Sequence, residues 1–286
     1  MKVLFMGTPD FAVESLRALI SAKHQVCGVV CQPDKPKGRG NKMAMPPVKE
    51  EALACGIPVY QPNTLKNGEL KPVLEKEQPD VIAVAAYGKL LPAYVLDMPR
   101  YGCVNVHGSV LPKYRGAAPI QWAVINGEKE TGITTMQMNQ GLDTGDILLI
   151  KKTAIGPEET AEQLFERLAV LGGQALLETL DGLENGSIHP VPQNHEESTY
   201  APMISKAMAQ IDWTKGKNEI LNLIRGMNSW PMAYTTYEGQ LVKVIRAEAA
   251  EGSGTPGSIL GVVKQHGLKV ACGDGAVVIR ELQFAG

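Results

Sequence analysis

Short apolar runs, KVLFM at 2–6, QVCGVVC at 25–31 and DVIAVAA at 80–86, are separated by stretches with helical period, and this alternation constrains the fold most. In PDFAVESLRALISAK (9–23), Phe11, Leu16, Leu19 and Ile20 fall on one helical face, and Pro9 and Asp10 suit a first helical turn. Unbroken apolar strands joined by helices read as βαβ units, because parallel strands are buried on both faces. The expected fold is therefore α/β, with a Rossmann-like, doubly wound, mostly parallel sheet. The pattern continues through CVNVH, the helical AAPIQWAVING, the alternating GITTMQMN, a strand near DILLIKKTAI and a long amphipathic helix across EETAEQLFERLAVLGGQALLETLDGLENG.

The period is lost at 187–206, where SIHPVPQNHEESTYAPMISK carries three prolines and reads as a linker. Beyond it, one helix (NEILNLIRGMN) precedes AYTTYEG, LVKVIRAE, GSILGVV, LKVACG and AVVIREL, short β-rich pieces bounded by turns. Such spacing suits a small closed barrel of the oligonucleotide-binding type. A first domain at 1–186, the linker at 187–206 and a second domain at 207–286 follow, and 286 residues suffice for two cores.

The stretch CVNVHGSVLPKYRG (103–116) breaks the apolar rule. Asn105 and His107 interrupt a buried strand two residues apart and so project to one face. Burying both without partners would cost free energy, so the pair is a hydrogen-bonded network or a site. Open α/β sheets bind ligands at the carboxyl ends of their strands, where these residues stand. GLDTGD (141–146) follows the next strand and offers Asp143, which is otherwise a good turn former. Together the three supply an oxyanion donor, a proton carrier and a carboxylate to orient or charge the imidazole, a set fit for acyl chemistry.

Other chemistries find less support. Only Gly7 stands where G-x-G-x-x-G would cradle a pyrophosphate, so it reads as a tight turn and a nicotinamide cofactor is not expected. No G-x-S-x-G elbow is present, which disfavours covalent catalysis. His24, His107, His189, His195 and His266 are too scattered for a metal set, so no metal is expected. Five cysteines without C-x-x-C spacing read as reduced cytoplasmic core residues, and neither a signal peptide nor a bilayer-spanning segment is apparent. A formal net charge of −2 confines any nucleic-acid contact to a local patch. QPDKPKGRGNKMAMPPVKE (32–50) is one, with Lys35, Lys37, Arg39, Lys42 and Lys49 against Asp34 and Glu50. It reads either as a mobile solvated loop or as a phosphate-tracking arm that orders on its partner.

The assembled motifs, NVHGSVLPKYRGAAP at 105–119 and GITTMQMNQGLDTGD at 132–146, resemble those of the folate-dependent formyltransferases. With GTPDFA (7–12), QPDKPKGRG (32–40) and IDW (211–213), the likeness extends along the chain to the branch that formylates methionyl-tRNA. It implies a catalytic trio of Asn105, His107 and Asp143, with 10-formyltetrahydrofolate as co-substrate. Folate contacts would fall on Ser109, Val110, Leu111 and Pro112 and on Tyr87, Gly88, Lys89, Leu90 and Leu91. Most relatives have Leu where Val110 stands, a swap that keeps an apolar wall. The tRNA-binding set would be Lys35, Lys37, Lys42 and the loop's key arginine, Arg39, with the second domain also on tRNA. Initiator methionyl-tRNA is the implied acceptor, for a cytoplasmic monomer without membrane association. Relatives usually continue past ELQFAG with a basic, helical segment. Formylation of a sugar amine, hydrolysis of formyl-folate and a noncatalytic RNA-binding role are the alternatives, and the intact trio counts against the last.

Overall fold

The structure, a computed structural model, describes residues 1–22, 24–37 and 42–284 and divides into two compact units. The first comprises 1–115, 132–152 and 166–200; the second comprises 116–131, 153–165 and 201–286. The second unit thus takes two segments from within the span 1–186. Among the described residues no helix is long and apolar enough to cross a membrane.

Apolar runs at the amino end give β1 (Lys2–Gly7), α1 (Asp10–Ser21) and β2 (Gln25–Val30). A hairpin of β3 (Lys35–Lys37) and β4 (Lys42–Ala44) follows, then α2 (Pro47–Ala54), β5 (Val59–Tyr60), α3 (Lys71–Glu77), β6 (Val81–Ala85), α4 (Ala93–Leu96) and β7 (Cys103–His107). The two-residue β8 (Arg115–Gly116) precedes α5 (Pro119–Ile125), β9 (Glu130–Gln137), β10 (Ile147–Ala154) and α6 (Ala161–Asn185).

The main sheet has the order β10-β9-β7-β6-β1-β2-β5. Strands β5, β2, β1, β6 and β7 pair in parallel, whereas β9 lies antiparallel to β7. From β1 the chain moves one way to β2 and β5, then crosses to β6 on the other side. The carboxyl ends of β1 and β6 therefore flank the topological switch point, and β7 ends beside them.

Two glycines set close approaches that shape this edge. A Cβ on Gly7 would lie 2.9 Å from the Ala85 carbonyl oxygen and 2.7 Å from the Ala12 Cβ. The missing side chain at Gly7 lets β1, β6 and α1 meet. In α6, a Cβ on Gly172 would come within 2.9 Å of a Val106 methyl. The missing side chain lets α6 press on the back of β7, opposite the face that carries Asn105 and His107.

Segment 187–206, read as a linker, is ordered by long-range pairing. Val191 bridges to Ile147, and β11 (Tyr200–Ala201) pairs with β8. No local period could announce such contacts.

The second unit contains α7 (Lys217–Gly226), β12 (Tyr234–Tyr237), β13 (Gln240–Ala250), β14 (Ile259–Val263), β15 (Gly267–Cys272) and β16 (Gly275–Phe284). Its core joins Ile220, Ile224 and Met227 to Val244, Val270, Val277 and Ile279. The strands form an antiparallel sheet in the order β12-β13-β16-β15-β14. The β-rich second domain expected from the sequence is this five-stranded antiparallel sheet, and among the described residues β12 and β14 stand at the two ends of its order. These strands have only 4 and 5 residues against 11 and 10 in the central β13 and β16.

Candidate functional site

Cys103, Asn105 and His107 alternate onto one face of β7. Cys103 ends an apolar cluster that includes Ile82 and Val84 on β6, and one step further along this face the polar pair replaces apolar packing. The His107 ring is buried, at 6% exposure. Its Nε2 lies 2.9 Å from the Tyr114 carbonyl oxygen. A carbonyl only accepts, so Nε2 carries the proton and donates. That contact fixes the tautomer and turns Nδ1 toward Asp143, whose Oδ2 stands 3.8 Å away. The separation exceeds a hydrogen bond, so the carboxylate acts on the ring as a charge.

Asp143 sits in the turn between β9 and β10 with φ +51°. This left-handed region is costly for most L-residues but comparatively accessible to aspartate and asparagine. Asn105 is half-buried and its side chain makes no hydrogen bond among the described residues. The trio predicted from sequence is therefore brought to one strand end, with an imidazole and a carboxylate paired and an amide unspent.

The loop after β7 is held from beneath. Thr134 on β9, fully buried, donates to the Ser109 carbonyl at 2.7 Å and accepts from the Leu111 N–H at 3.0 Å. Ser109 Oγ donates to the Lys113 carbonyl at 2.6 Å. Ser109 and Leu111 are buried, whereas Val110 and Pro112 are half-buried. In the loop after β6, the rings and chains of Tyr87 and Leu91 lie in the apolar core. Burial pushes the Tyr87 phenol up to about 12, and its hydroxyl has no partner among the described residues. Gly88 has φ +80°, Lys89 Nζ donates to the Asn63 carbonyl at 2.8 Å, and Leu90 is 63% exposed. Of the nine residues expected to meet a folate, Tyr87, Leu91, Ser109 and Leu111 can offer only backbone. Val110, Pro112, Gly88, Lys89 and Leu90 present accessible surface.

The basic segment is more ordered than an irregular loop. Lys37 pairs with Lys42 and Lys35 with Ala44 across the β3–β4 ladder, where K-P-K and K-M-A extend as strands. Arg39 lies outside the described residues. At the root, Lys49 meets Asp34 at 2.8 Å, so this lysine is already paired. The Gln61 amide and then Lys49 hold the Asp34 carboxyl below its usual range. Gln61 also donates to the Gln32 carbonyl, and Gln32 Nε2 donates to the Tyr87 carbonyl at 3.0 Å. The hairpin root is thereby tied to the loop after β6.

Chemically, neutral His107 presents a lone pair on Nδ1 and the charged ring presents an N–H there. Asn105 adds a neutral donor, and Asp143 balances the imidazolium. Among the described residues no activated nucleophile stands in the site: Ser109 Oγ is engaged, and burial pushes the Cys103 thiol up to about 12. The set suits direct acyl transfer between two bound molecules. Among the described residues no group of three or more His, Cys, Asp or Glu is placed to hold a metal.

Comparison with known proteins gives the family. The formyl transferase family model matches residues 1–180, and the model of the formyl transferase C-terminal domain matches 203–286. The chain belongs to the formyl transferase family. Among relatives of this formyl transferase, the methionyl-tRNA formyltransferase of Acetivibrio thermocellus is 52% identical over 287 residues, covering 99% of this chain and 92% of that protein. Among solved structures, the N-formyltransferase from Helicobacter canadensis in complex with folinic acid and dTDP-3-aminofucose aligns with TM-score 0.72 at 20% identity, over 98% of this chain and 99% of that one. HypX from Aquifex aeolicus in complex with tetrahydrofolic acid aligns with TM-score 0.68 at 19% identity, over all of this chain but 44% of its own. The last two likenesses concern the fold.

Sequence reasoning missed Thr134 and Gln193, the buried polar side chains that hold the site's loops. Thr134 hides within an alternating strand. Gln193 sits where no local pattern exists.

Proposed function

We propose that this site transfers the formyl group of 10-formyltetrahydrofolate to the α-amine of methionine esterified to initiator tRNA, giving formylmethionyl-tRNA for translation initiation. The reading places the enzyme in the cytoplasm as a monomer, with residues 1–186 binding the folate and 207–286 contacting tRNA.

The residues present fit the co-substrate: the unspent Asn105 amide and the Nδ1 edge of His107 stand at the end of β7, and Val110, Pro112 and Leu90, on the loops that leave β7 and β6, are accessible. The co-substrate supplies an acyl carbon whose bond to nitrogen can be exchanged for another. Asn105 donates to the formyl oxygen as negative charge gathers on it, and His107 Nδ1–H donates once protonated. A new C–N bond forms to the methionyl amine, the bond to N10 breaks, and one proton passes from the amine to N10. His107 Nδ1 holds that proton between the two, while Asp143 stabilises the imidazolium. Lys35, Lys37, Arg39 and Lys42 bind tRNA phosphates.

The carrying observation is the contact between His107 Nε2 and the Tyr114 carbonyl, which leaves Nδ1 as the one reactive edge, facing a carboxylate 3.8 Å away. The test offers the protein 10-formyltetrahydrofolate with either methionyl-tRNA or a nucleotide-linked amino sugar. Blocked amino termini on the tRNA, with the sugar unmodified, are expected. Formylation of the sugar in preference to tRNA, or release of formate with neither acceptor modified, would replace this reading.

A further inference from the structure

Two non-glycine residues beside the His107–Asp143 pair adopt left-handed backbone: Tyr114, φ +59°, whose carbonyl receives His107 Nε2, and Asp143 itself, φ +51°. Such conformations persist where the surroundings hold them. Both are held by one segment, residues 193–199. Gln193 is buried, and its amide nitrogen donates to the Asp143 carbonyl at 2.9 Å and to the Gly145 carbonyl at 2.7 Å. Its Oε1 accepts from Arg115 Nε at 3.1 Å and Nη2 at 2.6 Å. A guanidinium only donates and carbonyls only accept, so the amide has one orientation and its bonding capacity is full. Six residues on, Thr199 Oγ1 accepts from the Tyr114 N–H at 2.8 Å, and the Thr199 carbonyl accepts from the Arg115 N–H at 2.9 Å. Arg115 Nη2 also lies 2.9 Å from His195 Nδ1.

We infer that Gln193 is a positioning residue for formyl transfer: clamped by Arg115, it fixes the Asp143 turn so that the carboxylate faces His107 Nδ1. This inference rests on the proposed roles of His107 and Asp143. A glutamine is required because the position must present two N–H donors to carbonyls on one side and two acceptor sites to a guanidinium on the other. Glutamate keeps the volume and the Arg115 contact, yet sets a carboxylate oxygen against the Asp143 and Gly145 carbonyls. The turn then relaxes, and the carboxylate leaves its station.

Displacing a reacting group by about 1 Å costs up to roughly a hundredfold in rate, so Gln193→Glu should lower kcat about tenfold to a hundredfold. Because the Gln193 side chain is buried and its bonding capacity is taken up by Arg115 and the Asp143 and Gly145 carbonyls, both KM values should change less than about threefold. The discriminating readout is a double-mutant cycle: in an Asp143→Ala background, Gln193→Glu should change kcat by less than about twofold. An equal loss in both backgrounds would make Gln193 a general stabilising residue and overturn the inference. Amide hydrogen exchange gives a second, independent arm. Gln193→Glu should speed exchange at 141–146 and leave β6 unchanged; unchanged exchange at 141–146 would also overturn it. If Asp143→Ala alone kept full kcat, the proposed catalytic role of Asp143 would fall, while the exchange measurement would still judge the positioning.

Discussion

Replacing Asp143 with asparagine removes a charge and keeps the size of the side chain. Asparagine tolerates left-handed backbone as aspartate does, and Gln193 grips the main chain of this turn, so the geometry should persist. What disappears is the attraction between the carboxylate and His107 Nδ1 across 3.8 Å. At that separation two unit charges attract by about 1 kcal/mol if fully water-screened and by about 4 kcal/mol at an effective dielectric of about 20. His107 is buried and the Asp143 side chain is 13% exposed, which favours the upper part of the range. The charge on the ring arises during proton transfer, so most of the loss should appear in kcat. Each 1.36 kcal/mol is tenfold, which gives a fall of about a hundredfold, bounded by roughly fivefold and a thousandfold. The assay is single-turnover transfer to methionyl-tRNA at saturating 10-formyltetrahydrofolate, with co-substrate affinity measured separately and expected to hold. A variant within about threefold of wild-type kcat would refute the electrostatic role of Asp143.

Asn105→Ala should lower kcat by about a hundredfold to a thousandfold through loss of an oxyanion donor, and Asn105→Asp should be worse because it sets a negative charge beside the formyl oxygen; single-turnover rates check both. Tyr87→Phe should match or exceed wild type in thermal stability at neutral pH, since it removes a buried hydroxyl with no partner among the described residues. The Tyr87 phenol is raised to about 12 in the fold, so its contribution is fully present below the unfolded value of about 10 and is lost as pH rises through about 12. Melting between these limits should fall less steeply for Tyr87→Phe than for wild type, and identical slopes would count against that burial effect. Removing Lys35 and Lys42 together should weaken tRNA use and reduce the slope of log kcat/KM against log salt by somewhat less than about two, leaving folate binding unchanged.

The parallel sheet was legible because its strands are buried on both faces. Val3 through Met6 are wholly inaccessible, and such runs leave an uninterrupted apolar signature. α1 was legible for the complementary reason: Phe11, Leu16 and Leu19 are buried at helical spacing, whereas Ile20 is only half-buried. Asn105 and His107 stood out as polar groups on a strand that should have carried none. Short elements left less trace. α2 and α3 span 8 and 7 residues, too few to establish a period, and the β3–β4 strands, 3 residues each, are too short to show an alternation. Orientation was hidden too. The family resemblance implies folate contacts at Tyr87, Leu91, Ser109 and Leu111 without saying which way their side chains face, and in the fold all four are buried because the loops must also close the core. Gln193 lay furthest from view, since its partners at 115 and 143 are 78 and 50 residues away and nothing beside it in the chain repeats.

The central claim is that His107, held by the Tyr114 carbonyl, drives formyl transfer to methionyl-tRNA from its Nδ1 edge. The most direct measurement compares wild type with His107→Ala in one reaction containing 10-formyltetrahydrofolate and charged initiator tRNA, following formylmethionyl-tRNA by its blocked amine. The account predicts efficient formylation by wild type and a loss of about a hundredfold to a thousandfold or more in kcat for His107→Ala, with co-substrate affinity retained. Nearly full turnover without the imidazole, or no formylation of methionyl-tRNA by the wild-type protein, would contradict it.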